Sequence, residues 1–104
     1  MEKIVKQGLL YDFYGALLND HQRSIYESVV YDNMSLSEIA SEQGISRQGV
    51  HDLIKRCDKS LEEYENKLHL VERFMAIKDE VEIIETKAES AEIKAIAAKI
   101  LEQL

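Results

Sequence analysis

Apolar residues recur at intervals of three and four along most of the chain, the spacing that places them on one face of a helix. Ile4, Val5, Leu9, Leu10, Phe13, Tyr14, Leu17 and Leu18 form the first such stripe and predict an opening helix of about four turns. Asn19 or Asp20 is placed to cap a second helix with Ile25, Val29 and Val30 on its apolar side, and Tyr31-Asp32-Asn33-Met34 reads as the loop that ends it. Ser35 with Glu38 then makes a capping box in front of Leu36, Ile39 and Ala40, each side chain satisfying a backbone donor of the other, so a short helix over about residues 36 to 43 follows. Gly44 tolerates the left-handed conformation that closes such a helix. Ser46 caps the next, which begins Arg47-Gln48-Gly49-Val50.

A short capped helix, a glycine turn and a second capped helix sharing Ile39, Ala40, Ile45, Val50 and Ile54 is the pattern of a helix-turn-helix. Beyond it, Ile54, Cys57, Leu61, Tyr64, Leu68, Val71 and Met75 alternate at three and four as a heptad seam. No proline or glycine follows residue 49, so the expectation is one helix from Ser46 to about Glu85, roughly 60 Å long at 1.5 Å per residue. Thr86 with Glu89 is a further capping box, in front of a last helix whose apolar face holds Ile93, Ile96, Ala97, Ile100, Leu101 and Leu104. The expected organisation is all-α: a helix-turn-helix domain over 1–60 and a helical extension over 61–104. Such a rod is too long for a small domain to cover. Leu61, Tyr64, Leu68, Val71 and Met75 are therefore expected to form a dimer seam, completed by the folded-back last helix and a second copy of the chain.

Composition sharpens this picture. Proline is absent and there are four glycines in 104 residues, which agrees with a wholly helical chain. The 13 basic and 20 acidic residues give a net charge of −7, so any contact with nucleic acid has to come from a local patch and not from bulk attraction to phosphate. Residues 35–56 are balanced at three basic and three acidic groups, whereas 57–104 carry seven and twelve, a surplus read as a solvated helix face.

On the second helix of the motif, Arg47, Gln48, His51, Asp52, Lys55 and Lys59 share the side opposite Val50, Ile54 and Cys57. Ser46 and the helix N-terminus offer donors to a phosphate, Arg47 suits guanine, Gln48 suits adenine and Lys55 reaches a phosphate, so Ser46, Arg47, Gln48, His51, Lys55 and Lys59 are the candidate nucleic-acid contacts. Asp52 opposes this reading from the middle of the face.

Other chemistry is sparse. Cys57 on the seam reads as a small core hydrophobe, and a lone cysteine excludes an intrachain disulfide and fits a reducing cytoplasm. His21, His51 and His69 lie too far apart for a zinc motif. Tyr11, Phe13 and Tyr14 read as core, with the hydroxyl of Tyr11 or Tyr14 reaching a polar partner. No phosphate-cradling glycine loop and no nucleophile beside a base is present, so no enzyme, cofactor or metal site is expected. No run approaches a membrane span, and the opening residues lack a signal peptide's apolar region, so the expected location is the cytoplasm.

The runs Leu10-Tyr11-Asp12-Phe13-Tyr14-Gly15-Ala16-Leu17-Leu18, Ser35-Leu36-Ser37-Glu38-Ile39-Ala40, Ile45-Ser46-Arg47-Gln48, Ile54-Lys55-Arg56 and Tyr64-Glu65-Asn66-Lys67-Leu68-His69-Leu70, with Gln22, resemble the YlxM family over roughly residues 1 to 75. The chain departs from the family pattern at Gly49, where alanine is usual, and at His51, where an aromatic is common. The resemblance implies a helix-turn-helix bundle similar to region 4 of bacterial sigma factors. It also implies a role beside the signal recognition particle, with the particle's RNA or its GTPase as partner. The helix-turn-helix by itself supports a sequence-specific DNA-binding regulator, and the seam by itself a structural dimerisation module.

Overall fold

The computed structural model describes residues 1–104 and contains helices and turns alone. Its helices are α1 (Lys3–Tyr14), α2 (Asp20–Val30), α3 (Leu36–Gln43), α4 (Arg47–Leu68), α5 (Leu70–Lys87) and α6 (Ala91–Gln103), with a 3-10 turn over Gly15–Leu17 after α1. They form two compact units, Met1–Leu68 and His69–Leu104. The division thus falls after Leu68 and not after residue 60. No helix is long and apolar enough to cross a membrane.

In the first unit the caps act as their chemistry requires. Asn19 accepts from the Gln22 backbone at 2.8 Å while the Gln22 side chain accepts from the Asn19 backbone at 3.1 Å. The Ser35 and Glu38 pair does the same at 3.1 and 3.2 Å. Gly44 closes α3 at φ 69°, in the left-handed region, and the Gly49 backbone donates to the Ser46 hydroxyl at 2.9 Å to open α4. The opening helix is shorter than expected because its last apolar residues leave the α-helix at Gly15, where the chain tightens into the 3-10 turn. A Cβ on Gly15 would lie 2.7 Å from the Tyr11 ring, closer than any real contact, so the bend needs a residue without one.

Helix α4 is the trunk of this unit: α1, α2 and α3 all pack on it. Val50, Leu53, Cys57 and Leu61 fill its inner side, meeting Leu10, Tyr14, Ile25, Tyr26 and Ile39 in the core. Burial pushes the Cys57 thiol up to about 11.

Two expectations about the distal half are corrected. No single helix runs from Ser46 to Glu85, because His69 adopts φ 55° and separates α4 from α5. Histidine is among the few non-glycine residues enriched in that conformation, and its ring nitrogen lies 3.1 Å from Glu72 at the start of α5. Nor does Thr86 cap the last helix. Its hydroxyl donates to the Glu82 carbonyl inside α5, which runs on to Lys87, and Ser90 caps α6 by accepting from Ile93.

The residues expected to form the dimer seam divide between the two units. Leu61 is 0% exposed, and Tyr64 is half-buried with its ring against Tyr14, so these two serve the first unit's own core. Leu68 is exposed, while Val71 and Met75 are half-buried on α5. In the second unit α5 and α6 pack as a helical pair that buries Val81 and Ala97.

Candidate nucleic-acid interface

The side of α4 that faces away from Val50, Leu53 and Cys57 carries Arg47, Gln48, His51, Lys55 and Lys59, all exposed, with Ser46 exposed at its start. A helix repeats every 3.6 residues, so 47, 51, 55 and 59 lie in one row with 48 and 52 beside it. The first turn of α4 contains no acidic residue, leaving its N-terminal backbone donors uncompensated by a side-chain charge. The fold therefore brings all six sequence-derived candidates to one face.

Asp52 sits among them. Its carboxylate accepts from the Gln48 amide at 2.9 Å and lies 3.6 Å from the His51 ring. The Gln48 hydrogen bond, reinforced by His51, holds this carboxyl below its ordinary value, so Asp52 is ionised whenever the face is in neutral solution. The amide best suited to reading a base is thus engaged by a neighbour one turn away. Gly49 lies at the edge of the face, where a Cβ would come within 3.2 Å of the Ser46 hydroxyl that caps the helix. The residue is accommodated by the cap, although glycine costs a helix interior about 1 kcal/mol relative to alanine.

What holds this face in place is a stripe of carboxylates that the sequence reading assigned to solvent. Asp58, Glu62 and Glu65 are half-buried on α4, spaced four and three apart. Asp58 accepts from the Tyr26 phenol at 2.5 Å and from the Gln7 amide at 3.0 Å. Glu62 pairs with Lys6 at 2.9 Å, and Glu65 accepts from the Tyr14 phenol at 2.5 Å. Tyr11 donates to Glu27 at 2.7 Å, and Tyr31 donates to Asp12. The expectation that Tyr11 or Tyr14 finds a polar partner holds for both. The partners themselves were missed, and the three-four spacing of Asp58, Glu62 and Glu65 was the available signal. Tyr11 also stacks on Tyr26 with ring centres 5.5 Å apart and meets Tyr31 edge-on at 5.7 Å, which explains the aromatic opening segment as a packed cluster against α2.

Comparison with known proteins agrees with this geometry. Residues 1–101 match the model of the family UPF0122, described as "Putative helix-turn-helix protein, YlxM / p13 like". A UPF0122 protein of Thermoanaerobacter sp. (strain X514) is 45% identical over 103 residues, which cover 92% of this chain and 88% of that one. A UPF0122 protein of Caldanaerobacter subterraneus subsp. tengcongensis is 51% identical over 76 residues, 73% of this chain and 65% of that one. One from Clostridium botulinum (strain Alaska E43 / Type E3) is 48% identical over 75 residues, 72% and 69% respectively. With an all-helical fold, a capped helix-turn-helix and a match over nearly its full length, the chain belongs to the UPF0122 family of YlxM / p13-like helix-turn-helix proteins.

Proposed function

We propose that the protein is a nucleic-acid-binding accessory component of the signal recognition particle pathway, acting in the cytoplasm through the exposed face of α4. The observation that carries the binding is the joint exposure of Arg47, Gln48, His51, Lys55 and Lys59 on the second helix of the motif, behind an N-terminus free of acidic side chains. The assignment to the pathway, with the particle's RNA or its GTPase as partner, comes from the YlxM resemblance. A sequence-specific DNA-binding regulator is the second reading, supported by the helix-turn-helix itself; the pI near 4.9 and the ionised Asp52 carboxylate weaken phosphate contact with DNA and RNA alike.

The deciding experiment is a binding titration against duplex DNA, the particle's RNA and its GTPase over a range of salt concentrations. Binding to the RNA that weakens steeply with salt, and exceeds binding to duplex DNA of the same length, is the expected result. Equal or tighter binding to duplex DNA would make the regulator the better reading. No binding to either nucleic acid would remove the α4 face from consideration.

The protein is further proposed to work as a homodimer, joined through its second unit. Leu70, Ile77 and Ile84 recur every seven residues on α5, Ile93, Ile96 and Ile100 recur at three and four on α6 with Leu104 at its C-cap, and all are exposed. A helical pair of fewer than about 40 residues does not bury enough surface to hold itself together, and a second copy offering the same stripes supplies the missing cover.

A further inference from the structure

The first unit carries a trough that overlaps one edge of the candidate nucleic-acid face and extends beyond it along α1. Three hollows lie side by side and share lining residues. The central one, about 340 Å³, has a floor of Ile4, Val29, Leu36 and Ile54 and a rim bearing Lys3 and Lys55. A second, about 380 Å³, shares Leu36 and His51 with it and continues to Arg47. A third, about 310 Å³, shares Lys3, Gln7 and Asp58 and continues along α1 to Lys6. Four helices thus border one elongated depression with an apolar floor. Ile4 is 42% exposed there, although Gln7 and Tyr11 further along α1 are buried.

The charge around the trough is opposite to that of the chain. The carboxylates that border it are already engaged, Asp58 by Tyr26 and Gln7 and Glu62 by Lys6. Lys3, Lys6, Lys55 and Arg47 outnumber Asp58 and Glu62 around it, so the local charge is positive in a protein whose net charge is −7. We propose that this trough docks an acidic amphipathic helix of a partner protein, its apolar stripe on Ile4, Leu36 and Ile54 and its carboxylates on Lys3 and Lys55. A phosphate backbone would satisfy the lysines but leave the apolar floor in water. A helix with apolar residues at three-four spacing and acidic flanks satisfies both. The inference goes beyond the nucleic-acid reading and shares Arg47, Gln48, His51 and Lys55 with it, so the two ligands exclude one another.

The test uses the full chain and three synthetic 18-residue probes followed by fluorescence anisotropy. One is a helical peptide with leucines at three-four spacing and glutamate flanks, the second its twin with lysine flanks, the third a scramble of the first. The glutamate peptide should bind at least tenfold more tightly than either control and should displace bound nucleic acid. Ile4→Glu should weaken it at least tenfold, and the Lys3→Glu, Lys55→Glu double variant should shift preference to the lysine twin. All three positions are at the surface, so circular dichroism and melting temperature should be unchanged. Ile4→Glu should leave nucleic-acid binding intact, which separates this proposal from the recognition face. Equal or absent binding of the peptides, or indifference to these variants, overturns it. Conversion of a dimer to a monomer by Ile4→Glu also overturns it, by assigning the trough to a second copy.

Discussion

The Tyr26 phenol donates a 2.5 Å hydrogen bond to Asp58, joining the middle of α2 to the middle of α4 across 32 residues of sequence. Asp58 also accepts from Gln7 of α1, so one carboxylate ties three helices together. Asp58→Ala removes the acceptor for both buried donors and should cost about 3 kcal/mol in urea unfolding. Tyr26→Phe leaves the Gln7 contact in place and should cost about 1 kcal/mol. The double variant should cost less than the sum, as expected of partners in one network. A loss below about 0.5 kcal/mol for Asp58→Ala would show the network to be solvated in effect.

Alanine at three glycines should move stability in different directions. At Gly8, inside α1, nothing lies within 4 Å of the added Cβ, so alanine should stabilise by about 0.5 to 1 kcal/mol through helix propensity. At Gly15 the Cβ meets the Tyr11 ring at 2.7 Å, and overpacking should cost about 1 to 3 kcal/mol. At Gly44 there is space but φ is 69°, which should cost about 1 kcal/mol. Thermal denaturation of the three variants settles the order.

Stability should fall on the alkaline side. Burial, with the hydrogen bond to Asp58, raises the Tyr26 phenol; the Asp12 hydrogen bond pushes Tyr31 to about 12; burial raises Tyr11 and pushes Cys57 to about 11. Groups with raised folded values contribute stability that is complete below their unfolded values, 9.0 for cysteine and 10.0 for tyrosine, and is lost as pH rises through the folded ones. The urea midpoint should therefore hold steady to about pH 9 and decline towards pH 12. Tyr26→Phe should flatten that decline, and a midpoint constant to pH 12 would contradict the assignment.

On the recognition face, Asp52→Ala removes a repelling charge and releases the Gln48 amide. Nucleic-acid affinity at low salt should rise about three- to tenfold, while the melting temperature stays nearly unchanged because the side chain is exposed. Replacing Arg47, Gln48 and Lys55 together with alanine should abolish binding at an almost unchanged melting temperature, since all three are exposed. Undiminished binding in the triple variant would place the contact elsewhere.

Sedimentation tests the proposed dimer. Ile77→Lys with Ile96→Lys, both on exposed stripes of the second unit, should yield a 12.0 kDa monomer that keeps its helicity. Leu61→Lys should instead unfold the first unit, because that side chain is fully buried. A wild-type chain that sediments as a monomer at micromolar concentration would remove the dimer.

The helix-turn-helix was legible because its signals are local. Ser35 with Glu38, Gly44 and Ser46 each act within four residues, and a cap is recognisable from its own neighbourhood. The break at His69 was not legible. It lies between Leu68 and Leu70 without glycine or proline, and a single left-handed histidine leaves the three-four apolar pattern intact. Thr86 misled for a related reason: a threonine hydroxyl can bond back into its own helix as readily as cap the next. The grouping of Arg47, Gln48, His51, Lys55 and Lys59 followed from helical periodicity alone. The spacing of Asp58, Glu62 and Glu65 put them on one stripe but could not name their partners, since whether a carboxylate on a helix meets water or a tyrosine is decided by distant segments.

The place of α4 as trunk has a consequence for synthesis on the ribosome. The main partner of α1, α2 and α3 is made after all of them, and the phenol of Tyr14 waits for a carboxylate 51 residues downstream. At about 5 to 20 residues per second, the stretch from Gly44, just past α3, to Leu68 takes roughly 1 to 5 s to emerge. For that interval the nascent chain displays three short amphipathic helices with no trunk to bury them, so its first unit is assembled in one late step and not helix by helix.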